Sequence, residues 1–332
     1  MEHTRLGGSD LSVSAVTMGL WNITGGDTWG ETDREAAVDA IDAAIEAGIT
    51  TFDTAEAYGD GTSERLLGDA IEDHDRDDLR IATKAWTDNH RAEDLKAACR
   101  ASLDRLGTDY VDLYYLHYPN ESVPFGETFG ALAELREAGL IREVGVSNFG
   151  VEQLREAREA SPVPIVANQL PYSLLWRAIE FEVRDACLDA DTSIVAYSPL
   201  AQGLLADAYE SPEEVPAGVA RTRHFAGDRP RARHGEDGHE ALAFETIDRI
   251  RGIRGDADLP MAEVALAWVL DRPGVASAIA GSTTPEHVRA NAAAAGTDLD
   301  PSTVERLDVA TAELKNAIGA NPDPWQSDSR YR

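Results

Sequence analysis

Residues 80–117 read RIATKAWTDNHRAEDLKAACRASLDRLGTDYVDLYYLH, and this stretch decides the fold class. It opens on an apolar run from Arg80 to Lys84. It then passes through a helical segment, Ala92 to Leu106, that closes on Gly107, and returns to a second apolar run from Leu113 to His117. Strand, helix, strand without interruption means two parallel strands joined by a right-handed crossover. The same unit recurs along the chain. Further strands are predicted at Val16 to Gly19, Thr50 to Asp53, Val144 to Ser147, Ile165 to Gln169, Ile194 to Ser198 and Ala278 to Gly281. A helix from Asp33 to Ala47, opening on Thr32 and closing on Gly48, separates the first two. Eight strands in such a chain suit a closed (β/α)8 TIM barrel better than an open sheet. The open-sheet alternative calls for a Gly-rich dinucleotide fingerprint, and the nearest stretch, Gly25-Gly26-Asp27-Thr28-Trp29-Gly30, lacks the middle glycine. A short hairpin, Arg5 to Ser14 with its turn at Gly8-Ser9-Asp10, precedes the first barrel strand. The reading is one α/β domain over residues 1–332. It carries a long irregular segment at 201–240, expected to act as a lid, and a second irregular tail at 321–332.

Charge narrows the function. With 30 basic and 60 acidic residues the formal net charge is −30, which excludes recognition of a nucleic-acid backbone as the main activity. Lys84, Lys96 and Lys315 are the only lysines, so almost every cation is arginine. An acidic, lysine-poor surface is the pattern of a cytoplasmic protein adapted to molar salt, where a screening length of about 3 Å removes the self-repulsion. The rival explanation, a basic partner, fits less well because the acids are spread along the chain instead of forming a tail. No apolar run is long enough to span a bilayer, and Met1 to Asp10 has no signal-peptide core, so a soluble cytoplasmic protein is expected. Cys99 and Cys187 are too few for a disulfide framework or metal-ligand spacing, and His224, His234 and His239 also lack such spacing. No metal is expected.

In barrels of this kind the chemistry sits at the carboxyl ends of the strands. The polar residues there are Asp53, Lys84 and His117 on three consecutive strands, with Tyr58 in the loop after Asp53. An acid, a phenol, an ammonium and an imidazole point to proton transfer. Tyr58 would give the proton, its pKa lowered by Lys84, which Asp53 anchors, while His117 orients a carbonyl oxygen. For any one of these groups the plain alternative is a satisfied structural polar residue. Lys84 resists that explanation, because this sequence avoids lysine elsewhere and a buried unpaired lysine is costly.

The stretches TFDTAEAYGDGTSERLLGDAI, IATK, DYVDLYYLHYP, GLIREVGVSNF, VANQLPYSLLWR, AYSPLAQGLL and GSTTPEHVRAN resemble the aldo-keto reductase family, in the same order and on the same barrel elements. The resemblance implies NAD(P)H-dependent reduction of an aldehyde or ketone, with a catalytic tetrad falling on Asp53, Tyr58, Lys84 and His117. It assigns Ser147, Asn148 and Gln169 to the nicotinamide carboxamide and Tyr197 to the ring that stacks on the nicotinamide. The turn Ser198-Pro199-Leu200-Ala201-Gln202-Gly203 goes under the pyrophosphate, where backbone N–H groups suit an anion. Gly19, Leu20 and Trp21, after the first strand, join the cofactor site. Trp21 and Trp86 form the apolar wall of the substrate pocket beside Tyr58 and His117.

The last motif departs from the family's commoner pattern. Where a lysine or arginine often grips the adenosine 2′-phosphate, this chain has Gly281, Thr283 and His287, with Ser282, Asn291 and Arg289 left as adenosine-end contacts. The resemblance therefore implies dual cofactor use, with NADP(H) favoured over NAD(H) by about tenfold or less. Five arginines, Arg221, Arg223, Arg229, Arg231 and Arg233, cluster in the long segment. They either lie over the cofactor phosphates or pair with surface carboxylates. Two other functions fit the same residues: oxidation of a sugar or other alcohol, and a cofactor-binding regulatory subunit like the potassium-channel beta subunits. The partner expected is a small carbonyl or alcohol substrate, and the oligomeric state is left open.

The charge reading has a direct test. At about 10 mM salt the screening length grows to about 30 Å, and the fold and any activity are expected to be lost on dialysis to that level. A melting temperature equal in low and molar salt would contradict salt adaptation.

Overall fold

The computed structural model describes residues 1–25 and 33–332. The Thr32 helix start and most of the Gly25–Gly30 stretch weighed above lie outside the described residues. Ten strands are present among the described residues. β1 (His3–Arg5) and β2 (Ser12–Ser14) form an antiparallel hairpin. β3 (Val16–Gly19), β4 (Thr51–Asp53), β5 (Arg80–Ala85), β6 (Val111–Leu116), β7 (Ile141–Ser147), β8 (Ile165–Pro171), β9 (Ser193–Tyr197) and β10 (Val275–Ala280) are parallel and close into a barrel, β10 pairing with both β9 and β3. This is the (β/α)8 barrel with an N-terminal hairpin that the strand spacing predicts.

The helices form because apolar residues recur at helical spacing. α1 (Arg34–Glu46) and α2 (Thr62–Ala70) follow β3 and β4; α3 (Ala92–Leu106) follows β5 and buries Leu95, Ala98, Cys99, Leu103 and Leu106 against the barrel. Gly107, at φ +64°, ends α3 in the left-handed conformation that glycine adopts without strain. Asp33 caps α1, its side chain accepting from the Glu35 N–H. α4 (Phe125–Glu137), α5 (Val151–Ala160) and α6 (Val183–Asp189) follow β6, β7 and β8; α7 (Glu240–Ala257) and α8 (Met261–Leu270) follow β9, α9 (Pro285–Ala294) follows β10, and α10 (Pro301–Ile318) packs on α7.

Two apolar layers hold this together. One lies between strands and helices; the other fills the barrel with Ala82, Leu113, Tyr115, Ala167, Val195, Ala276 and Ile279, plugged from the hairpin by Leu6 and Val13. The amino-terminal end is thus closed, and polar groups collect at the other. No helix among the described residues is long and apolar enough to cross a membrane.

The 201–240 segment, expected to act as a lid, is ordered. It is short 3-10 turns at Ala201–Ala206 and Pro212–Glu214 and an irregular stretch with Val215, Val219, Ala220 and Phe225 buried. Buried Arg223 pins it to the tail. Its Nε donates to Glu236 at 2.8 Å, and its other nitrogens reach the carbonyls of Ile318 (3.2 Å) and Asn321 (3.0 Å). Arg229 pairs with Glu240. For these two arginines the carboxylate-pairing explanation holds, because the acids stand within the same segment. Arg223→Ala strands Glu236 and the tail carbonyls without their cation, so a loss of about 3–5 kcal/mol is expected in a denaturant titration. A loss under about 1 kcal/mol would show that the segment does not depend on this residue.

Candidate active site

The carboxyl ends of β4, β5 and β6 stand side by side, and the sequence places one polar side chain on each. Asp53 is the last residue of β4 and Lys84 the penultimate residue of β5. His117 follows β6 directly, its N–H donating to the Ala85 carbonyl at 3.0 Å. The Lys84 side chain has no exposed surface. Its Nζ donates to Asp53 Oδ1 at 2.5 Å, to the Thr54 carbonyl at 2.8 Å and to the Tyr58 hydroxyl at 3.2 Å. Three donors meet three acceptors, so the buried ammonium is satisfied. Asp53 keeps its other oxygen for Gln169, whose Nε2 donates to it at 2.7 Å.

The electrostatics correct one expectation. The Tyr58 pKa is raised well above its ordinary value, not lowered: burial is the largest cause, followed by the charge of Asp53, with the neighbouring Tyr118 and Tyr197 acting in the same direction. Asp53 offsets the ammonium almost at contact, so the phenol meets a nearly neutral pair in a poorly solvated site. Burial also raises the Asp53 carboxyl and lowers the Lys84 ammonium, each opposed by attraction to the other. Tyr58 is therefore held protonated, the state a proton donor requires.

Aromatic rings surround the hydroxyl. Tyr58 lies 6.3 Å from Trp21 and 5.7 Å edge-on to His117, measured between ring centroids. Trp86, 38% exposed on the rim, meets His117 edge-on at 5.2 Å, and Glu56 holds it by accepting from its backbone N–H. Tyr118 stacks on His117 at 5.5 Å. Nothing in the sequence marks this residue except that it adjoins His117. The His117 Nδ1 is buried without a partner among the described residues.

The next strands carry the residues expected to hold a cofactor. Ser147 and Asn148 stand at the end of β7 and Gln169 in β8, all buried. Asn148 Nδ2 donates to the Ser147 hydroxyl (3.0 Å), which donates to the Gln169 carbonyl (3.0 Å). Tyr197 ends β9 partly accessible, its hydroxyl donating to Asn148 Oδ1 at 2.9 Å. Beyond it Ser198, Ala201, Gln202 and Gly203 all have positive φ, from +45° to +100°. Within this turn the Ala201 N–H donates to the Ser198 carbonyl (2.9 Å) and the Gly203 N–H to the Leu200 carbonyl (3.0 Å). Gln202 Oε1 is buried without a partner among the described residues. Gly19 and Gly281 are glycines by necessity: a Cβ on the first would lie 2.6 Å from Ile279 Cγ2, and on the second 2.7 Å from the Gly19 carbonyl. Next to the turn, Pro199 is buried and Leu200 packs on the core; at β10, Ser282 and Asn291 are buried, whereas His287 is exposed. Arg289 is drawn to Glu46 at 3.1 Å. An unpaired amide, a turn of left-handed residues and a partly open aromatic face fit a dinucleotide. No cluster of His, Cys, Asp or Glu suited to a metal occurs among the described residues.

Residues that the motifs did not supply close the mouth. Arg221 lies over the rings of Trp21 (5.4 Å) and Trp325 (4.8 Å). Its Nε is buried without a partner among the described residues, and burial and the charges of Arg233 and Arg231 lower its pKa. Only the arginine cluster pointed to it.

Comparison with known proteins agrees with this geometry. The profile of the Aldo/keto reductase family matches residues 15–312. Aldo-keto reductase YhdN of Bacillus subtilis is 33% identical over 96% of this chain and 95% of its own. A protein of Escherichia coli named NADH-specific methylglyoxal reductase is 31% identical over 90% of this chain and 95% of its own. An aldo-keto reductase of Klebsiella pneumoniae, solved in complex with NADPH, superposes with a TM-score of 0.73 at 29% identity, covering 93% of this chain and 95% of its own.

The imidazole gives a pH test. Burial is the largest cause holding His117 well below its ordinary pKa, followed by Lys84, Arg330 and His90, so it stays neutral in the folded chain. A histidine depressed on folding favours the folded state above the unfolded value near 6.5 and opposes it as pH falls below that. The C2–H resonance of His117 is expected not to titrate between pH 8 and 6, and stability should decline as pH drops below about 6.5. A midpoint near 6.5 would contradict a neutral imidazole.

Proposed function

Since this chain belongs to the aldo/keto reductase family, we propose that it is an NAD(P)H-dependent oxidoreductase that reduces an aldehyde or ketone to the alcohol with Tyr58 as proton donor. The single observation carrying this is the buried Lys84 ammonium, 2.5 Å from Asp53 and 3.2 Å from the Tyr58 hydroxyl. When bound, the reduced nicotinamide supplies the hydride for the carbonyl carbon. The protein's residues hold the substrate and complete the proton transfer. The substrate oxygen is placed between the Tyr58 hydroxyl and the His117 ring, with Trp21 and Trp86 excluding water around it. As negative charge develops on that oxygen, Tyr58 gives up its proton to it. The charge left on the phenol oxygen falls next to Lys84, whose ammonium stabilises it. Asp53 keeps Lys84 charged against burial, and neutral His117 donates a hydrogen bond to the same oxygen without supplying a competing acid. In the reverse direction the same groups take a proton from an alcohol.

Ser147, Asn148 and Gln169 line the carboxamide site in this reading, Tyr197 stacks on the nicotinamide, and the Ser198–Gly203 turn takes the pyrophosphate with Arg221 above it. Cofactor choice leans to NADP(H) by about tenfold or less. Two of the similar proteins bracket this: one is solved with NADPH, the other is named NADH-specific. Thr283 offers at most one hydroxyl hydrogen bond to a 2′-phosphate, about 1 kcal/mol, and Arg289 is partly engaged by Glu46. A reducing, cytoplasmic compartment at high salt belongs to the same proposal. It is supported by the formal charge of −30 and two unpaired cysteines.

Tyr58→Phe tests the assignment. It should lower kcat at least about 100-fold with an aldehyde substrate while leaving cofactor affinity near normal, the scale of a lost general acid. The same assay run with NADPH and NADH reads the cofactor ratio. Near-normal turnover in the variant would remove Tyr58 from the mechanism.

A further inference from the structure

Residues 321–332 contain no helix or strand, yet they are fixed across the mouth of the barrel. Asp323 is fully buried and takes Arg330 through Nε at 2.6 Å and a second guanidinium nitrogen at 2.9 Å. The Arg330 guanidinium lies 4.2 Å over the Tyr118 ring, which itself stacks on His117. A backbone oxygen of Arg332 accepts from the N–H groups of Glu152 (2.8 Å) and Gln153 (3.2 Å), the free donors at the start of α5. The Gln153 side chain returns the contact, donating to the Arg330 carbonyl at 2.9 Å and accepting from the Arg332 N–H at 2.9 Å. A side chain at Gly150 would collide with the Arg332 backbone, so glycine there makes room for the strap.

Between these anchors Tyr331 is 5% exposed, and its ring cannot leave without breaking the contacts on both sides. Its hydroxyl donates to Asn148 Oδ1 and lies 3.2 Å from the Tyr197 hydroxyl. Asn148 has φ +65°, a left-handed conformation that an asparagine keeps when its surroundings hold it. Both of its amide hydrogens are spent, on the His117 carbonyl (2.9 Å) and the Ser147 hydroxyl (3.0 Å). Its oxygen takes the two tyrosines. One hydroxyl on the strap thus reaches the ends of both β7 and β9, where phenylalanine would fill the space but not make the bonds.

We propose that Tyr331 is a positioning residue for the cofactor, its hydroxyl fixing the Asn148 amide, which in turn orients the Ser147 hydroxyl, and the Tyr197 ring, so that both receive the nicotinamide end. This rests on the assignment of Asn148 and Tyr197 given above. Cofactor binding reads it without turnover. The dissociation constant for NADPH, followed by quenching of tryptophan fluorescence, is measured for the unaltered chain, Tyr331→Phe and Asn148→Ala, with the melting temperature of each. Tyr331→Phe should bind NADPH about fivefold more weakly, with the cofactor KM raised, kcat nearly unchanged and melting within a few degrees of the parent. The loss should shrink for an analogue whose carboxamide is replaced by an acetyl group, since Tyr331 acts through the residue assigned to that carboxamide. Unchanged or tighter NADPH binding in Tyr331→Phe, or an equal loss with the analogue, overturns the proposal. Normal binding in Asn148→Ala would overturn the site assignment itself. Weakened binding there with none in Tyr331→Phe overturns Tyr331 alone.

Discussion

An ammonium group with no exposed surface must be neutralised where it stands, and Lys84 is neutralised by Asp53 at 2.5 Å. Removing either partner would leave a bare charge in a poorly solvated barrel end, a loss of about 3–5 kcal/mol. That constraint explains the arrangement around it. β4 and β5 must be neighbours, with Asp53 at the end of one and Lys84 near the end of the other. The Thr54 carbonyl and Tyr58 hydroxyl must fill the ammonium's remaining donor directions. The buried Glu64 behind them serves the same region, accepting from the Thr83 hydroxyl at 2.6 Å and pairing with Arg105 at 2.6 Å.

The pair also sets the acid–base character of the site. A lone lysine beside a tyrosine would pull the phenol pKa down; a lysine already paired with aspartate leaves burial in command, and the phenol rises. The phenol thus stays protonated at neutral pH, and the ammonium acts chiefly on the charge that appears once the proton has gone. Beside it, burial holds the His117 imidazole neutral.

Around the barrel, the tasks follow the strand order. The ends of β4 to β6 carry Asp53, Lys84 and His117, those of β7 and β8 the buried amides, that of β9 the Tyr197 ring and the left-handed turn, and Gly281 after β10 lets the backbone of β3 approach. Two irregular segments, the one after β9 and the one after α10, are joined through Arg223 and lie over this ring of sites. The chain's acidity is the background. Against it, Arg221, Arg223 and Arg330 stand out as cations brought inward, each packed against an aromatic ring at the mouth.

The sequence determined the barrel, because each strand is short, apolar and punctuated, and each helix shows its own period; α3 begins at Ala92 and closes on Gly107 as its residues dictate. It determined which residues meet at the proposed site as well, since Asp53, Lys84 and His117 stand at strand ends that any eight-stranded parallel barrel brings together, with Tyr58 in the loop after the first of them. It did not determine the direction of the Tyr58 shift, because two opposite charges that both act on a phenol can be ranked only when their separations and the burial around them are known. Nor did it reveal Tyr118 or Tyr331. The last lies 183 residues from Asn148 in a segment without periodicity, where no local signal records which surface it will cover. Contacts between distant segments depend on how the chain closes, and only the tertiary structure decides them.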